Sequence, residues 1–187
     1  MADHEPLWAW QIAYSELEAE LPRRWAHTQG VARAAAAIAG RLGCDRDLLV
    51  ASAVLHDVGY APRLVVTGFH PLDGARFLRE EHRADDRMVR LVANHTCALL
   101  EAEERGLQEQ LAYEFPILDD ELLTDALTYC DMTTTPDGTP TTPAERIGEI
   151  TERYGPDSVV GRFIRRAEPR ILAVASRIED VLATQPR

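Results

Sequence analysis

Lysine is absent from this chain of 187 residues, so all 20 of its basic residues are arginines. An anion bound here therefore meets guanidinium groups or metal ions, never an ammonium. Acidic residues number 31, which leaves a formal charge of −11. Such a balance excludes a broad electrostatic footprint for a nucleic-acid polymer, because counterion release needs clustered cations. Cysteine is scarce: Cys44, Cys97 and Cys130 lie far apart and form no CxxC pair. Neither a zinc knuckle nor a disulfide framework is expected, and the three are read as buried thiols in a reducing compartment. Long apolar runs are missing too. None approaches the roughly 20 residues that span a bilayer, so no membrane partner is expected. The opening Met1-Ala2-Asp3-His4-Glu5-Pro6 is polar and acidic, unlike a secretory signal. These absences together point to a cytoplasmic protein. Sustained strand-like alternation is also lacking, which leaves helical periodicity as the main pattern.

What is present is 45% hydrophobic residues, enough for an ordinary globular core. The spacing predicts a first helix over residues 7–20. A second runs from Pro22, well placed at a helix start, to Leu42, and stops at Gly43. Asp45 caps a third, very apolar helix over 48–58, ended by Gly59. The stretch 60–69 is irregular; Pro71 opens a fourth helix and Asp85-Asp86 a fifth, reaching about His95. Residues 99–117, first strongly charged and then weakly patterned, are expected to form a surface excursion that could act as a lid. A sixth helix starts at Asp119-Asp120 and ends near Asp131. The Thr-rich loop 133–142 follows, then a seventh helix from Pro143 to Gly155. The last and longest covers 157–183, with Pro169 expected to kink it. The expected architecture is all-α, a single helical domain over 1–187 with its core at about 22–155.

Histidines recur near helix ends or middles inside apolar or small-residue segments: His27, His56, His70 and His95. Asp57 follows His56 directly, and Asp131 sits in Leu127-Thr128-Tyr129-Cys130-Asp131-Met132. Burying a lone carboxylate costs on the order of several kcal/mol, so such aspartates need partners. A divalent metal shared with imidazoles is one, and this donor mix suits Fe, Mn, Zn or Co rather than Ca. Adjacent side chains point about 100° apart on a regular helix. At a helix C-terminus, however, His56 and Asp57 can line one pocket. His82, in Arg79-Glu80-Glu81-His82-Arg83, is read as a solvated surface residue, and His4 as part of a frayed end.

The series His27, His56-Asp57, Asp131 resembles the H…HD…D signature of the HD superfamily of metal-dependent phosphohydrolases. The lead-in Ala51-Ser52-Ala53-Val54-Leu55 and the following Val58-Gly59 resemble the family's context, and the likeness runs from about Arg23 to Tyr154. His70, in Gly68-Phe69-His70-Pro71, and His95, in Ala93-Asn94-His95-Thr96, resemble the extra histidines of members with a binuclear site. The resemblance implies a helical bundle of the HD-domain type and two divalent transition-metal ions (Fe, Mn, Co or Zn). One ion would take His27, His56, Asp57 and Asp131; the other would take Asp57 as bridge, with His70 and His95. Asp57 would be the catalytic carboxylate. An arginine after the last aspartate faces the substrate phosphate in related members, which nominates Arg146. Arg63, in the place where many members carry a lysine, and Arg24, within a turn of His27, are further candidates for substrate binding. The motif of the cyclic dinucleotide phosphodiesterases is not found.

The activity so implied is hydrolysis of a phosphoester or phosphoanhydride in a small, nucleotide-like substrate by a metal-bound hydroxide. Two other functions fit the same ligands: a di-iron oxygenase acting on a phosphonate or polyol, and a non-catalytic nucleotide-binding sensor. The partner is thus a small phosphorylated molecule, and the apolar face of the last helix could serve a homodimer.

Overall fold

In the computed structural model, residues 5–184 are described; His4 and both ends of the 1–187 span lie outside them. Ten α-helices and three short 3-10 turns make up the described residues, with no strand among them beyond a single bridge between Thr134 and Pro140. The helices are α1 (Glu5–Leu17), α2 (Pro22–Leu42), α3 (Arg46–Leu55), α4 (His70–Glu80), α5 (Asp86–Asn94), α6 (Ala98–Arg105), α7 (Gln108–Glu114), α8 (Glu121–Met132), α9 (Pro143–Tyr154) and α10 (Val159–Thr184).

Helix α3 is the axis of the bundle. Every residue from Leu48 to Leu55 is apolar or small and every one is buried, which is the composition a helix needs when it is surrounded on all sides. Helices α1, α2, α5 and α8 pack around it. Its N-terminus is closed by Asp45, which accepts from the Leu48 amide. A second, smaller apolar cluster joins Met132 and Ile147 to Phe163, Ile164, Ala167 and Ile171 of α10. Helix α10 runs as one element through Pro169 and packs on α2, α6, α8 and α9.

The excursion expected at 99–117 is not a free lid. It forms α6 and α7, with Ala102, Leu111 and Phe115 buried in the main core. Leu111 and Phe115 lie one turn apart on a single face, and polar ties reinforce them. Arg76 and Arg79 grip Glu114, Asn94 donates to the Phe115 carbonyl, and Arg90 donates to the carbonyls of Pro116 and Ile117. His82 is also not a solvated residue. It is half-buried, with its ring edge-on to Trp8 and Phe77 at 5.7 and 4.7 Å. Of the thiols, Cys130 is buried and Cys44 and Cys97 are half-buried; all three are free.

Candidate metal centre

The third helix ends three residues earlier than its apolar pattern suggests, and this shortening builds the site. Helical dihedrals persist through His56, but Asp57 turns to φ −102° and ψ 6° and starts a 3-10 turn over Val58–Tyr60. His56 and Asp57 therefore face one space: Nε2 of His56 lies 3.3 Å from Oδ2 of Asp57. The turn then passes so close to α4 that only glycine fits at 59. A Cβ there would sit 2.1 Å from the His70 carbonyl oxygen and 2.5 Å from the Gly74 amide nitrogen. This approach carries His70, the first residue of α4, up to Asp57, with His70 Nε2 at 3.3 Å from Asp57 Oδ1. The loop ahead of His70 is ordered by Asp73, whose carboxylate accepts from the amides of Val66, Thr67 and Gly68.

On the other side, the Thr-rich loop is the support for His27. Gly138 has φ 76°, and a Cβ there would meet the Ala26 carbonyl oxygen at 2.1 Å. Seated this closely on α2, the loop presents the Thr135 carbonyl to Nδ1 of His27 at 3.0 Å. His27 Nε2 then points to Asp131 Oδ1 at 3.0 Å, on the last turn of α8. Thr96 donates its hydroxyl to the other oxygen of Asp131.

All six residues of the H…HD…H…H…D series thus converge. His27, His56 and Asp57 form one group of mutually close donor atoms, and Asp57, His70 and His95 form another. Asp57 belongs to both, its Oδ2 facing His27 (3.8 Å) and His56 and its Oδ1 facing His70. Asp131 joins the first group, with Oδ1 3.9 Å from His56 Nε2. His70 Nε2 and His95 Nε2 are 3.2 Å apart.

The protons of this cluster can be placed. Nδ1 of His27, His56 and His95 each lies within 3.0 Å of a backbone carbonyl, from Thr135, Ala53 and Val92. A carbonyl only accepts, so each Nδ1 donates, which leaves each Nε2 facing the cluster, open to a metal ion or to a second proton. The three Nε2 atoms aim at carboxylate oxygens or at another ring nitrogen. Nε2 of His56 is fully buried with no hydrogen-bond partner. Acceptors facing acceptors in a dry site call for cations between them, and a backbone-anchored Nδ1 is how metal-binding histidines are oriented. The donor set therefore fits divalent metal.

Burial pushes His70 down to about 3 and also lowers His95, which keeps both neutral. Burial works against His56 as a cation, but the Asp57 charge holds its pKa above the ordinary value. Burial opposes the charge on Asp57 and on Asp131 as well. Arg24 and His56 nonetheless hold Asp57 far below the usual carboxylate range, and the His27 hydrogen bond with the His56 charge does so for Asp131.

The three arginines named from the sequence part company. Arg24 binds Asp57 Oδ2 at 2.6 Å and lies 3.9 Å over the Tyr60 ring, which stacks in turn on His70. Arg146 is 6% exposed and lines the cavity above the cluster. Arg63 does not reach it. Its exposed guanidinium is held by Glu16 and Glu81 on the outer surface, because the 3-10 turn that brings Asp57 inward points residue 63 outward.

That cavity is lined by Arg24, Tyr60, Thr96, Glu101, Arg146 and Arg153, among others, with Asp57, His70, His95 and Asp131 at its base. Glu101 and Arg153 were not singled out by sequence reasoning. Glu101 sits in a charged stretch that reads as a solvated face, yet it is 7% exposed. The only local signal is its i,i+4 pairing with Arg105.

Comparison with known proteins agrees with this geometry. Residues 24–132 match the family model of the HD domain. The chain is similar to the tRNA (cytidine(56)-2'-O)-methyltransferase of Picrophilus torridus, 37% identical over 78 residues that cover 42% of this chain and 22% of that protein. It is likewise similar to the protein of the same name from Thermoplasma volcanium, 40% identical over 79 residues with the same shares. The chain thus spans about a fifth of the length of the curated relatives it matches. No solved structure matches it.

Proposed function

This chain belongs to the HD-domain family, and on that premise we propose that it is a metal-dependent phosphohydrolase with a binuclear centre. The observation that carries the reading is Asp57, whose two carboxylate oxygens face two separate histidine groups. A carboxylate so placed suits a bridge between two ions. Divalent ions held there would acidify a water and neutralise phosphoryl oxygens.

The chain's own residues supply the rest. His27, His56 and Asp131 would hold one ion and His70 and His95 the other, with Asp57 common to both. Arg24, Arg146 and Arg153 line the cavity over the cluster and would receive the remaining oxygens of the phosphoryl group. The substrate class is a small phosphoester or phosphoanhydride, such as a nucleotide. Methyl transfer to tRNA, the activity in the relatives' name, is not carried over, since the match covers about a fifth of those proteins.

The same ligands suit an iron pair, so the test is run with and without oxygen. Protein purified without chelator should carry close to two transition-metal ions per chain. A screen of nucleotides and phosphoesters with Mn²⁺, Fe²⁺, Co²⁺ and Mg²⁺ should release phosphate or a phosphorylated product without consuming O₂. Asp57→Ala should lose both metal and turnover. Oxygen-coupled turnover of a phosphonate would replace this reading with an oxygenase, and absence of bound metal after reconstitution would sink both.

A further inference from the structure

Above the histidine–aspartate cluster the cavity is closed by α6, α9 and the start of α10. Two polar groups on that wall are left over once the cluster is assembled. Glu101 is 7% exposed and receives both hydrogen bonds of Arg105 on one oxygen: Nε and one terminal nitrogen reach Oε1 at 2.9 and 2.7 Å. Its Oε2 accepts nothing among the described residues and is not sealed away, and Glu101 lines the cavity. Arg146 is equally buried. One of its terminal nitrogens is held by Glu149, its Nε is sealed out of a ligand's reach, and its other terminal nitrogen donates to nothing among the described residues. A spare acceptor and a spare donor in one cleft are costly unless a ligand completes them.

The two groups have opposite signs and would receive different parts of one molecule. Arginines 24, 146 and 153 make one region of the wall attractive to an oxyanion. Glu101, paired with Arg105 although burial raises its carboxyl, makes its own region attractive to a hydroxyl or ammonium and unattractive to a second phosphate. We propose that Glu101 is a specificity-determining residue: the cavity accepts a phosphomonoester whose organic part carries a hydroxyl or ammonium donor, and disfavours one carrying a second phosphate. The phosphoryl end of this assignment rests on the phosphohydrolase reading above. The selectivity at Glu101 does not depend on whether the bond is then cleaved. A buried polar group that loses its partner penalises the wrong ligand strongly, which is why such a residue discriminates more sharply than an apolar wall.

The test measures binding. Mn²⁺-loaded protein is titrated calorimetrically with propylphosphonate, 2,3-dihydroxypropylphosphonate and propane-1,3-bisphosphonate. The wild-type protein should bind the dihydroxy compound about tenfold or more tighter than the propyl compound, with the bisphosphonate weakest. Glu101→Met, which keeps length without the acceptor, should bring the first two within about threefold and strengthen the bisphosphonate. Arg105→Met breaks the same ion pair but leaves the carboxylate, and should keep the wild-type order. Equal affinities in the wild-type protein, an unchanged order in Glu101→Met, or the same change in both variants would each overturn the assignment. If Glu101→Met fails to fold, the wild-type order alone decides. Phosphate release from glycerol 1-phosphate is followed separately: a kept binding order without release sinks hydrolysis and leaves the selectivity standing.

Discussion

Thr96 reaches Oδ2 of Asp131 with its hydroxyl from a backbone in the left-handed region, at φ 46° and ψ 48°. The next residue, Cys97, is left-handed as well, at φ 61°. For a β-branched residue this conformation is a real outlier, costing on the order of 1–3 kcal/mol. It comes directly after His95 and directs the Thr96 hydroxyl at the one Asp131 oxygen that His27 leaves free. Thr96→Ser should keep metal affinity near wild type, while Thr96→Ala should weaken Mn²⁺ binding roughly tenfold or more by calorimetry. Thr96→Gly should ease the backbone without restoring that affinity. Equal metal binding in Thr96→Ala and wild type would show that the hydroxyl does not orient Asp131.

Arg24 and a divalent ion would compensate the same carboxylate, so their contributions to stability should overlap. Without metal, Arg24 is the guanidinium that pairs with the buried Asp57. Removing one partner of a buried pair typically costs about 3–5 kcal/mol. Arg24→Ala should therefore destabilise the chelator-treated protein strongly and the Mn²⁺-loaded protein much less, as read by urea unfolding of both forms. An equal loss in the two forms would mean that Arg24 acts through its packing on Tyr60 rather than through its charge.

Much of this cluster was legible in the chain because its residues follow in order the series that resembles the HD superfamily's, in apolar surroundings that a helix pattern reveals. His27, His56, His95 and Asp131 could be placed on their elements from spacing alone. The parts that escaped depend on contacts between distant segments. Glu101 reads as surface because its neighbours 103–105 are charged, yet it is 7% exposed on a helix that packs against α10. Arg63 follows the HD pair closely in sequence, yet the 3-10 turns after Asp57 send it outward. Helices α6 and α7 looked like a loose excursion, since their apolar residues are few. Leu111 and Phe115 are enough because Arg76, Arg79, Arg90 and Asn94 hold the backbone and Glu114 around them.

Gly59 should tolerate no side chain. A Cβ would overlap the His70 carbonyl oxygen and the Gly74 amide nitrogen, both main-chain atoms that cannot swing aside. Gly59→Ala must push the turn off α4 and carry His70 away from Asp57. The expected cost is about 3 kcal/mol in denaturant unfolding, at the upper end for overpacking. Metal stoichiometry should also fall, because His70 is the residue displaced. Native stability in this variant would show that the turn and α4 can separate freely.

Glu114 provides a pH-dependent tie between α4 and α7, outside the histidine–aspartate cluster. Hydrogen bonds from Arg76 lower its carboxyl from the ordinary 4.5 to about 2; burial opposes this and Arg79 adds to it. Because the folded state holds the carboxyl below its unfolded value, the stabilisation is complete above about pH 4.5. It is lost as the pH falls from there through about 2. Partial exposure screens the pair, so it contributes about 1 kcal/mol at neutral pH rather than the full shift. Glu114→Gln keeps the shape but cannot ionise. Urea unfolding at pH 7 should show the variant weaker by that amount, and the gap should narrow steadily between pH 4.5 and pH 3. A gap that stays constant across this range would mean that the interaction is carried by shape and neutral hydrogen bonds, with no contribution from the carboxylate charge.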